Sequence, residues 1–489
     1  MTLSQTILRF LVLVAVWGSG SWSLLQAQES HTMTLEEAIA YGLKHHKNIE
    51  NARFDEYIAG LRVKETLASG YPQLSGSVDP QAFLQLPTTI LPGEFQPQQE
   101  IINVRRADGG VQPIAVPQVD PETGEPITGD PVEAVFGFPI QFSAGVTLNQ
   151  MLFDGSFFVG VKAARTFREL SHKQLNRTRE QTAVAISQAY YQALIAQKRG
   201  SIVEANIERV EKLFRETEGL YQEGFAEKLD VDRLRINLNN LYLEKQKIAR
   251  TVELSRYLLK FQMGMPITDE LTLEADIDEL ARPEEPELPG LSEVDLTQRI
   301  DYSLLQSQRE MEQHNLRRIQ MGYLPSIYFF TNYQYQYQGE PNDETDAALD
   351  LTGIWFPVAV SGLSINVPIF DGLQKHRQVQ QSRLELRKIE NQFTMWEQGA
   401  QLEYVQATTE LENAYASLQS TEQTRELANQ VYETTRIKYK EGVGSSLEVN
   451  EAESQLKEAE ANYLSALLEY LLARNELERA RGDFRRYHE

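Results

Sequence analysis

The sequence predicts an α+β membrane protein that is internally duplicated, with four transmembrane strands and two very long helices in each chain. Three observations predict this fold class. Two long stretches contain no proline, four segments alternate between apolar and polar residues, and several motifs return after about 218 residues. Together they indicate extended membrane-crossing strands attached to long helices, rather than a compact globular domain.

The N-terminal segment has the order of a secretory signal peptide. Arg9 precedes an apolar run from Phe10 to Trp17, and small and polar residues follow up to Ala27, where we predict cleavage. The apolar run is too short to span a bilayer comfortably. The sequence has no other uninterrupted apolar stretch of the roughly 20 residues that a transmembrane helix needs. Any further membrane contact is therefore expected from elements other than helices.

Cysteine and charge narrow the class of protein further. The chain has no cysteine, which excludes a disulfide framework, thiolate metal sites and a lipid on an N-terminal cysteine. An exported protein without disulfides fits a bacterial envelope. The formal net charge is −23, so the chain should repel nucleic acid and anionic surfaces.

The chain consists of two copies of one unit. Leu152-Phe-Asp-Gly155 returns as Ile369-Phe-Asp-Gly372, and the segment from Tyr221 to Val231 returns as Tyr439 to Val449. The two glycines of these motifs are 69 positions apart in one copy and 70 in the other, so both copies must span the same length. The predicted organisation is a signal peptide (1–27), a first repeat with helix, two strands, long helix and return helix (28–264), a connector (265–290), a second repeat (291–482) and a C-terminal tail (483–489).

Long helices are predicted where proline is absent, in residues 140–265 and 369–489. Apolar residues in the second stretch step by three and four, as in a coiled-coil seam. A helix over residues 374–438 would be about 100 Å long. Each long helix should end at a Tyr-x-Glu-Gly motif. Further helices are predicted at Asp230–Phe261, Glu448–Arg481, Leu35–Ala68 and Leu291–Met321, and residues 265–289 are predicted to be irregular.

Four segments alternate with a period of two, at matching places in the two copies. The clearest reads NYQYQYQGE, from Asn332 to Glu340. Alone it fits a soluble edge strand or an aggregation-prone tract, and a soluble sandwich would alternate as well. Uncharged polar faces, tyrosines at one strand end and the signal peptide favour transmembrane strands. The predicted lipid side comprises Leu74, Gly76, Val78, Pro80, Ala82, Leu84 and Leu86; Phe142, Ala144, Val146 and Leu148; Ile327, Phe329, Thr331, Tyr333, Tyr335 and Tyr337; and Leu363, Ile365, Val367 and Ile369.

Four strands cannot close on themselves. An open edge in hydrocarbon would leave backbone groups without hydrogen bonds, so we expect a barrel shared between chains. The segment Pro87–Pro139 is long and rich in proline and is predicted to be an external loop. The segment Gly339–Ile354 is short and acidic.

The order and spacing of these motifs resemble the TolC-like outer membrane efflux protein family over essentially the whole mature chain. The resemblance implies a homotrimer with one 12-stranded barrel in outer-membrane lipid, four strands per chain, continued by a helical tunnel through the periplasm. It implies an exit duct for efflux or secretion, with a periplasmic adaptor protein and an inner-membrane pump as partners. Gly444 stands where some closed-resting relatives have an arginine, so part of the usual latch is absent.

The resemblance also assigns candidate functional residues near the two Tyr-x-Glu-Gly turns. Glu448 and Glu451 match the acids of the entrance gate, and Tyr439 and Asp230 match the pair that ties neighbouring helices shut. Without the resemblance, acids at a helix start and glycines at a helix end would be attributed to helix termination alone. The candidates for adaptor contact are Gly224, Leu229, Val231, Gly442, Gly444, Ser445, Leu447 and Val449.

No catalytic, cofactor or metal site is predicted. The histidines are scattered, and the neighbours His45 and His46 would point about 100° apart on a helix, which favours a surface pair over a metal site. P-loop, GxSxG and HExxH patterns are missing from the mature sequence. The alternative function is a periplasmic coiled-coil scaffold or adaptor without a pore. It would account for the helices but not for four strands at repeat-matched positions.

Overall fold

The computed structural model describes residues 30–91, 99–105, 111–123, 127, 132–135, 137–274, 277, 289–339 and 354–488. The predicted signal peptide, half of the connector and the acidic segment 340–353 lie outside these ranges. The chain forms two compact units. The first comprises residues 1–61, 165–313 and 383–489, and the second comprises residues 62–164 and 314–382.

Seven α-helices are found in the described ranges, and local sequence accounts for the start of both long ones. Asp154 begins the first long helix, because its Oδ1 accepts the backbone N–H of Ser156 at 2.8 Å. Asp371 accepts the N–H of Lys375 at 3.2 Å in the second copy. The aspartate of each Phe-Asp-Gly motif thus supplies a helix start. The helices are α1 Leu35–His45, α2 Lys47–Ala68, α3 Gly155–Gln222, α4 Lys228–Met263, α5 Ile300–Met321, α6 Gln374–Lys440 and α7 Ser446–Arg481.

The predictions for α4, α6 and α7 are confirmed to within two residues at each end. The prediction of a single helix over Leu35–Ala68 is wrong. His46 has an extended backbone, with ψ of 127°, and the backbone of Gly264 lies so close that a Cβ there would be 2.9 Å from the His46 Cα. The prediction of a helix beginning at Leu291 is also wrong. Two 3-10 turns, Leu291–Glu293 and Leu296–Gln298, precede α5, and Asp295 accepts the N–H of Thr297 at 3.1 Å.

The four predicted strands form one antiparallel sheet in the second unit. In the order along the sheet they are β10 Ile354–Asn366, β9 Ser326–Gly339, β7 Ile140–Phe153 and β2 Gln73–Ala82. Val146 lies opposite Tyr333, and Leu74 lies opposite Leu148. Residues directly opposed in an antiparallel pair project from the same face, so the predicted apolar sides form one continuous face. The outer edges of β2 and β10 have no partner strand in the described part of the chain.

Aromatic rings gather at one end of this face, as the sequence predicts. Phe142, Tyr337 and Trp355 lie side by side on three neighbouring strands. The rings of Phe142 and Trp355 meet edge to face, with 5.6 Å between centroids. Four predicted lipid-side residues, Leu84, Leu86, Val367 and Ile369, lie after the ends of β2 and β10. These two strands are therefore shorter than the alternating pattern predicts.

The segment predicted to be an external loop and the connector predicted to be irregular both contain strands. The segment Pro87–Pro139 carries β3 Thr88–Leu91, β4 Gln99–Arg105, β5 Val111–Pro117 and β6 Val132–Val135, in which β3 pairs with β6 and β4 with β5. Proline is tolerated in these two-stranded ribbons because its nitrogen, which carries no hydrogen, can face away from the partner strand. In the connector, β8 Glu270–Leu273 pairs in parallel with β1 Ser30–Met33, and its two leucines are buried.

The two largest hydrophobic clusters of the described ranges lie in the first unit. The larger surrounds Tyr190, Leu259 and Tyr404. We call the other the turn cluster, because it lies next to the predicted turns and joins four helices. No helix within the described ranges is both long and apolar enough to cross a bilayer. The turn cluster consists of Val203, Ile207, Val210 and Leu213 of α3, Leu234, Leu238 and Leu241 of α4, Tyr432 of α6, and Val449, Ala452 and Leu456 of α7.

Candidate functional site

The two turns between the long and return helices have the same backbone. Gly224 and Gly442 adopt φ angles of +83° and +76°. The N–H of the following residue bonds back to the long helix, from Phe225 to the Leu220 carbonyl at 2.8 Å and from Val443 to the Lys438 carbonyl at 3.0 Å. These bonds form a Schellman motif, in which glycine supplies the left-handed conformation that ends a helix.

The acids after each turn cap the return helix. The Oγ of Ser445 accepts the N–H of Glu448 at 3.3 Å, and the N–H of Ser445 donates to the Glu448 carboxylate at 3.5 Å. This reciprocal pair is a capping box. In the first turn, the N–H of Glu227 donates to the Asp230 carboxylate at 3.4 Å. Two of the predicted gate acids therefore also serve as helix caps.

The predicted gate residues occupy two different environments. Glu448 and Glu451 are exposed on α7. Tyr439 is half-buried, and its hydroxyl shares a hydrogen bond of 3.2 Å with the hydroxyl of Thr217. Asp230 accepts a hydrogen bond from the hydroxyl of Ser446. Within one chain, Tyr439 and Asp230 thus contact other residues rather than each other, and they join α6 to α3 and α4 to α7.

The surface of the turns is formed by some of the predicted adaptor-contacting residues. Leu229 and Leu447 are exposed, whereas Val231 and Val449 are buried, and Val449 belongs to the turn cluster. The most exposed apolar side chains at the turns are Phe225 at 79% and Val443 at 77%. Neither was among the predicted contacts, although each directly follows its glycine. An apolar residue directly after the turn glycine occurs in both copies, and this repeated pattern could have predicted Phe225 and Val443 as exposed contact residues.

Gly444 lies tightly against the end of α6. A Cβ at this position would be 3.1 Å from the backbone nitrogen of Tyr439 and 3.3 Å from the carbonyl carbon of Lys438. Ser445 beside it is exposed. The second turn therefore presents a small-residue surface whose shape is set by close backbone packing.

A buried acid lies beneath the turns, and the sequence analysis does not predict it. Glu453 of α7 is only 4% exposed, and one of its carboxylate oxygens accepts the side-chain amide of Asn237 at 3.1 Å. The spacing of Val449, Ala452, Glu453 and Leu456 places the acid on the buried stripe of α7. No cluster of three or more His, Cys, Asp or Glu side chains suited to a metal ion is present in the described ranges.

An antiparallel sheet with one apolar face and an aromatic end, combined with long helices that reverse at glycine turns, is typical of channel-forming proteins of bacterial outer membranes. The sequence profile of the family described as outer membrane efflux protein matches residues 116–251 and 303–483. The chain belongs to this family. Membership confirms the predicted family, the location in the outer membrane with an extension into the periplasm, and a transport function rather than an enzymatic one.

Solved structures share the fold. The open state of the Neisseria gonorrhoeae MtrE outer membrane channel has 16% identity and a TM-score of 0.66, over 92% of this chain and 88% of that chain. The Campylobacter jejuni CmeC outer membrane channel has 14% identity and a TM-score of 0.64, over 92% and 85%. The outer membrane protein VceC from Vibrio cholerae has 16% identity and a TM-score of 0.62, over 92% and 96%. None of the curated protein sequences compared with this chain matches it.

Proposed function

We propose that this chain forms the exit duct of a tripartite efflux or secretion system, which passes substrates from a periplasmic adaptor and an inner-membrane pump to the exterior. The observation that carries the proposal is the four-stranded sheet, which has a continuous apolar face and two outer edges without a partner strand in the described part of the chain. Family membership supports a channel over a periplasmic scaffold without a pore.

The unpaired edges support a homotrimer with a shared barrel. Backbone groups along β2 and β10 would lose hydrogen bonds in lipid at a cost of several kcal/mol each. Pairing β2 of one chain with β10 of the next would remove both edges, and three chains would give 12 strands. In the same proposal, the apolar face of Leu74, Val146, Tyr333 and Ile365 meets lipid, and the amide face lines the channel.

Disulfide crosslinking tests this assembly, because the chain has no cysteine of its own. Cysteine would replace Ser75 or Ser77 in β2, each combined with Ser364→Cys or Asn366→Cys in β10. Oxidation of outer-membrane fractions should give covalent dimers and trimers for at least one pair. The control is Thr147→Cys in β7 with Ser364→Cys, since β7 lies inside the sheet. Monomers alone from every β2–β10 pair would exclude the shared barrel.

We further propose that the turns form the periplasmic entrance and that Glu448 and Glu451 line it. They are three residues apart and therefore lie on one face of α7, and both are exposed. A trimer would place six carboxylates around its axis, which attracts cations. Tyr439 and Asp230 would hold the entrance closed through the helices they join.

Planar-bilayer recordings test the acid ring. Glu448→Gln with Glu451→Gln removes the charge, while glutamine can still act in the capping box. Cation selectivity and any block by divalent ions should both fall. Glu458→Gln, an exposed position further along α7, is the matched control and should behave like the wild type. Unchanged selectivity in the double variant would place the ring elsewhere.

The adaptor is proposed to dock on the exposed turn surface, which comprises Phe225, Leu229, Val443 and Leu447 together with Gly442, Gly444 and Ser445. Gly444→Trp or Ser445→Trp should abolish export, measured as substrate accumulation in cells, because another helical hairpin could no longer approach closely. Crosslinked trimers should form as before. Export that survives both substitutions would exclude contact at the second turn.

Processing and organisation complete the proposal. Residues 1–27 would be removed on export, which N-terminal sequencing of the outer-membrane form would show. The mature chain would then consist of the repeats 28–264 and 291–482, the connector 265–290 and the tail 483–489. Phe225→Trp, Gly444→Trp and Ser445→Trp should not change the site of signal-peptide cleavage.

A further inference from the structure

A group of charged side chains lies between the helices of the turn cluster. Arg209 of α3 contacts Glu460 of α7 at 3.0 Å, and Lys457 of α7 forms an ion pair with Glu244 of α4. Glu453, on the same stretch of α7, is bonded only to the amide of Asn237. The group therefore contains two bases and three acids, and four of its members are paired.

Within the described ranges, Glu453 is the acid of this group that forms no ion pair, and it is also the most buried of the three acids. One oxygen accepts the Asn237 amide, and the other, Oε1, is buried without a hydrogen-bond partner among the described protein groups. An ionised carboxylate in such a place loses hydration that one neutral amide does not replace. A proton on Glu453 would leave two bases facing two acids, so the group would be neutral.

The surroundings of Glu453 agree with this charge count. Burial raises the pKa of its carboxyl above the ordinary value, while Asn237, Lys457 and Arg209 lower it and Glu460 raises it further. The fully buried Tyr432 of α6 also faces the group, and burial raises the pKa of its hydroxyl, so it is a neutral neighbour. Among the described residues, the titratable groups that act on Glu453 are Arg209 of α3, Tyr432 of α6, and Lys457 and Glu460 of α7. Glu244 of α4 belongs to the group through its ion pair with Lys457.

The position of Glu453 connects it to the entrance. It follows Glu451 by two residues on α7, yet Glu448 and Glu451 are exposed while Val449, Ala452 and Glu453 are buried. One side of the first turns of α7 therefore carries the proposed gate acids, and the other side carries the buried acid. Because α7 packs on α3, α4 and α6 through this buried side, a change in that packing would move Glu448 and Glu451 with the helix.

We propose that Glu453 is a positioning residue for the first turns of α7: uncharged, it allows α7 to pack closely on α3, α4 and α6, and charged, it loosens this packing and widens the entrance. The inference rests on the proposed entrance at the turns. It adds a proton-dependent control that is separate from the acid ring.

The direction of the pH effect follows from the raised pKa. Between the ordinary value of 4.5 and the raised one, the packed state holds the proton and the loosened state does not. Raising the pH through this window therefore weakens the packing, and lowering it strengthens the packing. Conductance should rise with pH in the same window.

Glu453→Gln imitates the protonated side chain with almost no change in shape. Single-channel conductance would be recorded from about pH 5 to about pH 8. The wild type should show a conductance that rises with pH, and Glu453→Gln should keep the low, acidic-pH conductance throughout. Glu458→Gln should retain the wild-type profile. In the Glu448→Gln and Glu451→Gln double variant the rise should persist, because the titrating group is Glu453.

Thermal unfolding of the purified assembly over the same pH range gives a second readout. The wild type should lose thermal stability relative to Glu453→Gln as the pH rises. Equal pH dependence of both proteins in conductance would overturn the proposal. If only the thermal difference appears, Glu453 is a packing residue and its effect on the entrance is excluded. Failure of the acid ring would instead appear as unchanged selectivity in the double variant, with the Glu453 effect intact.

Discussion

The two turns of this chain share a backbone but differ in what their polar side chains hold. Both reverse at a glycine with positive φ and close with the same pair of backbone bonds. Ser446 in the second turn is buried and donates to Asp230, whereas Lys228 at the matching position of the first turn is exposed. The two copies therefore share the glycine and the backbone bonds that reverse the chain. They differ in the side chains that link one copy to the other.

The tyrosines before the glycines show the same difference. Tyr221 is exposed, while Tyr439 is half-buried and bonded to Thr217. The second turn therefore carries two hydroxyl contacts between the repeats, one to α3 and one to α4, and the first turn carries no matching pair in the described ranges. Replacing the turn glycines, which changes the backbone conformation, should therefore lower stability equally at both turns. Replacing the side chains that link the repeats should lower stability more at the second turn than at the first.

The largest expected effect is a symmetric one. Gly224→Val and Gly442→Val should each destabilise the assembly by about 2 kcal/mol, because a β-branched residue is strained at positive φ. The midpoint of thermal unfolding, followed by circular dichroism at a fixed scan rate, should fall by similar amounts. Gly→Asn at the same positions is the control and should cost less, since asparagine tolerates this conformation. A loss at only one turn would show that the two backbones are not equivalent.

The next effect should be asymmetric. Ser446→Ala removes the hydroxyl that donates to the Asp230 carboxylate, and hydrogen bonds to charged groups contribute about 1.5–3 kcal/mol. We expect a loss near the lower figure, because Arg233 lies 3.9 Å from Asp230 and remains. Lys228→Ala, the matched change in the first turn, should stay within about 0.5 kcal/mol. Equal thermal midpoints for both variants would contradict the link between the turns.

A smaller effect is expected at the tyrosines. Thr217→Val keeps the shape of a fully buried side chain and removes the partner of the Tyr439 hydroxyl, at a cost of about 1 kcal/mol. Tyr221→Phe, which removes the matching hydroxyl at an exposed position, should have no measurable effect. The thermal midpoints of both variants would be measured in parallel with the wild type. If Tyr221→Phe lowers the midpoint as much as Thr217→Val does, the two tyrosine hydroxyls contribute equally to stability and the proposed difference between the turns is wrong.

The parts of this fold that sequence predicts are those that depend on local chemistry. Gly224 and Gly442 end helices because of their own conformational freedom, and the alternation from Tyr333 to Tyr337 predicts a strand face by itself. The break at His46 lies against the backbone of Gly264, which is distant in sequence. No local pattern contains that contact, so a continuous helix was the natural prediction.

The candidate site also contains some residues that the local sequence predicts and others that depend on contacts between distant helices. The turn positions and the exposed acids could be predicted from the repeated motif, but the partners of Tyr439 and Asp230 depend on which helices are neighbours. Glu453 resembles the many exposed acids of these helices in sequence. Only its place on the stripe of Val449 and Leu456 distinguishes it, and burial on that stripe depends on the packing of four helices.

The smallest expected effect separates folding from docking at the second turn. Gly444→Ala should change stability by less than about 0.5 kcal/mol, although its Cβ would lie 3.1 Å from the Tyr439 nitrogen. The first turn carries Ala226 at the matching position on the same backbone, so a shift of a few tenths of an ångström is enough to accommodate the methyl group. Export should also remain, because alanine is still small, whereas Gly444→Trp should fold and fail to export. If Gly444→Ala instead lowers the thermal midpoint as much as Ser446→Ala, the close contact with α6 determines the role of Gly444, and an export defect of Gly444→Trp would reflect misfolding of the turn.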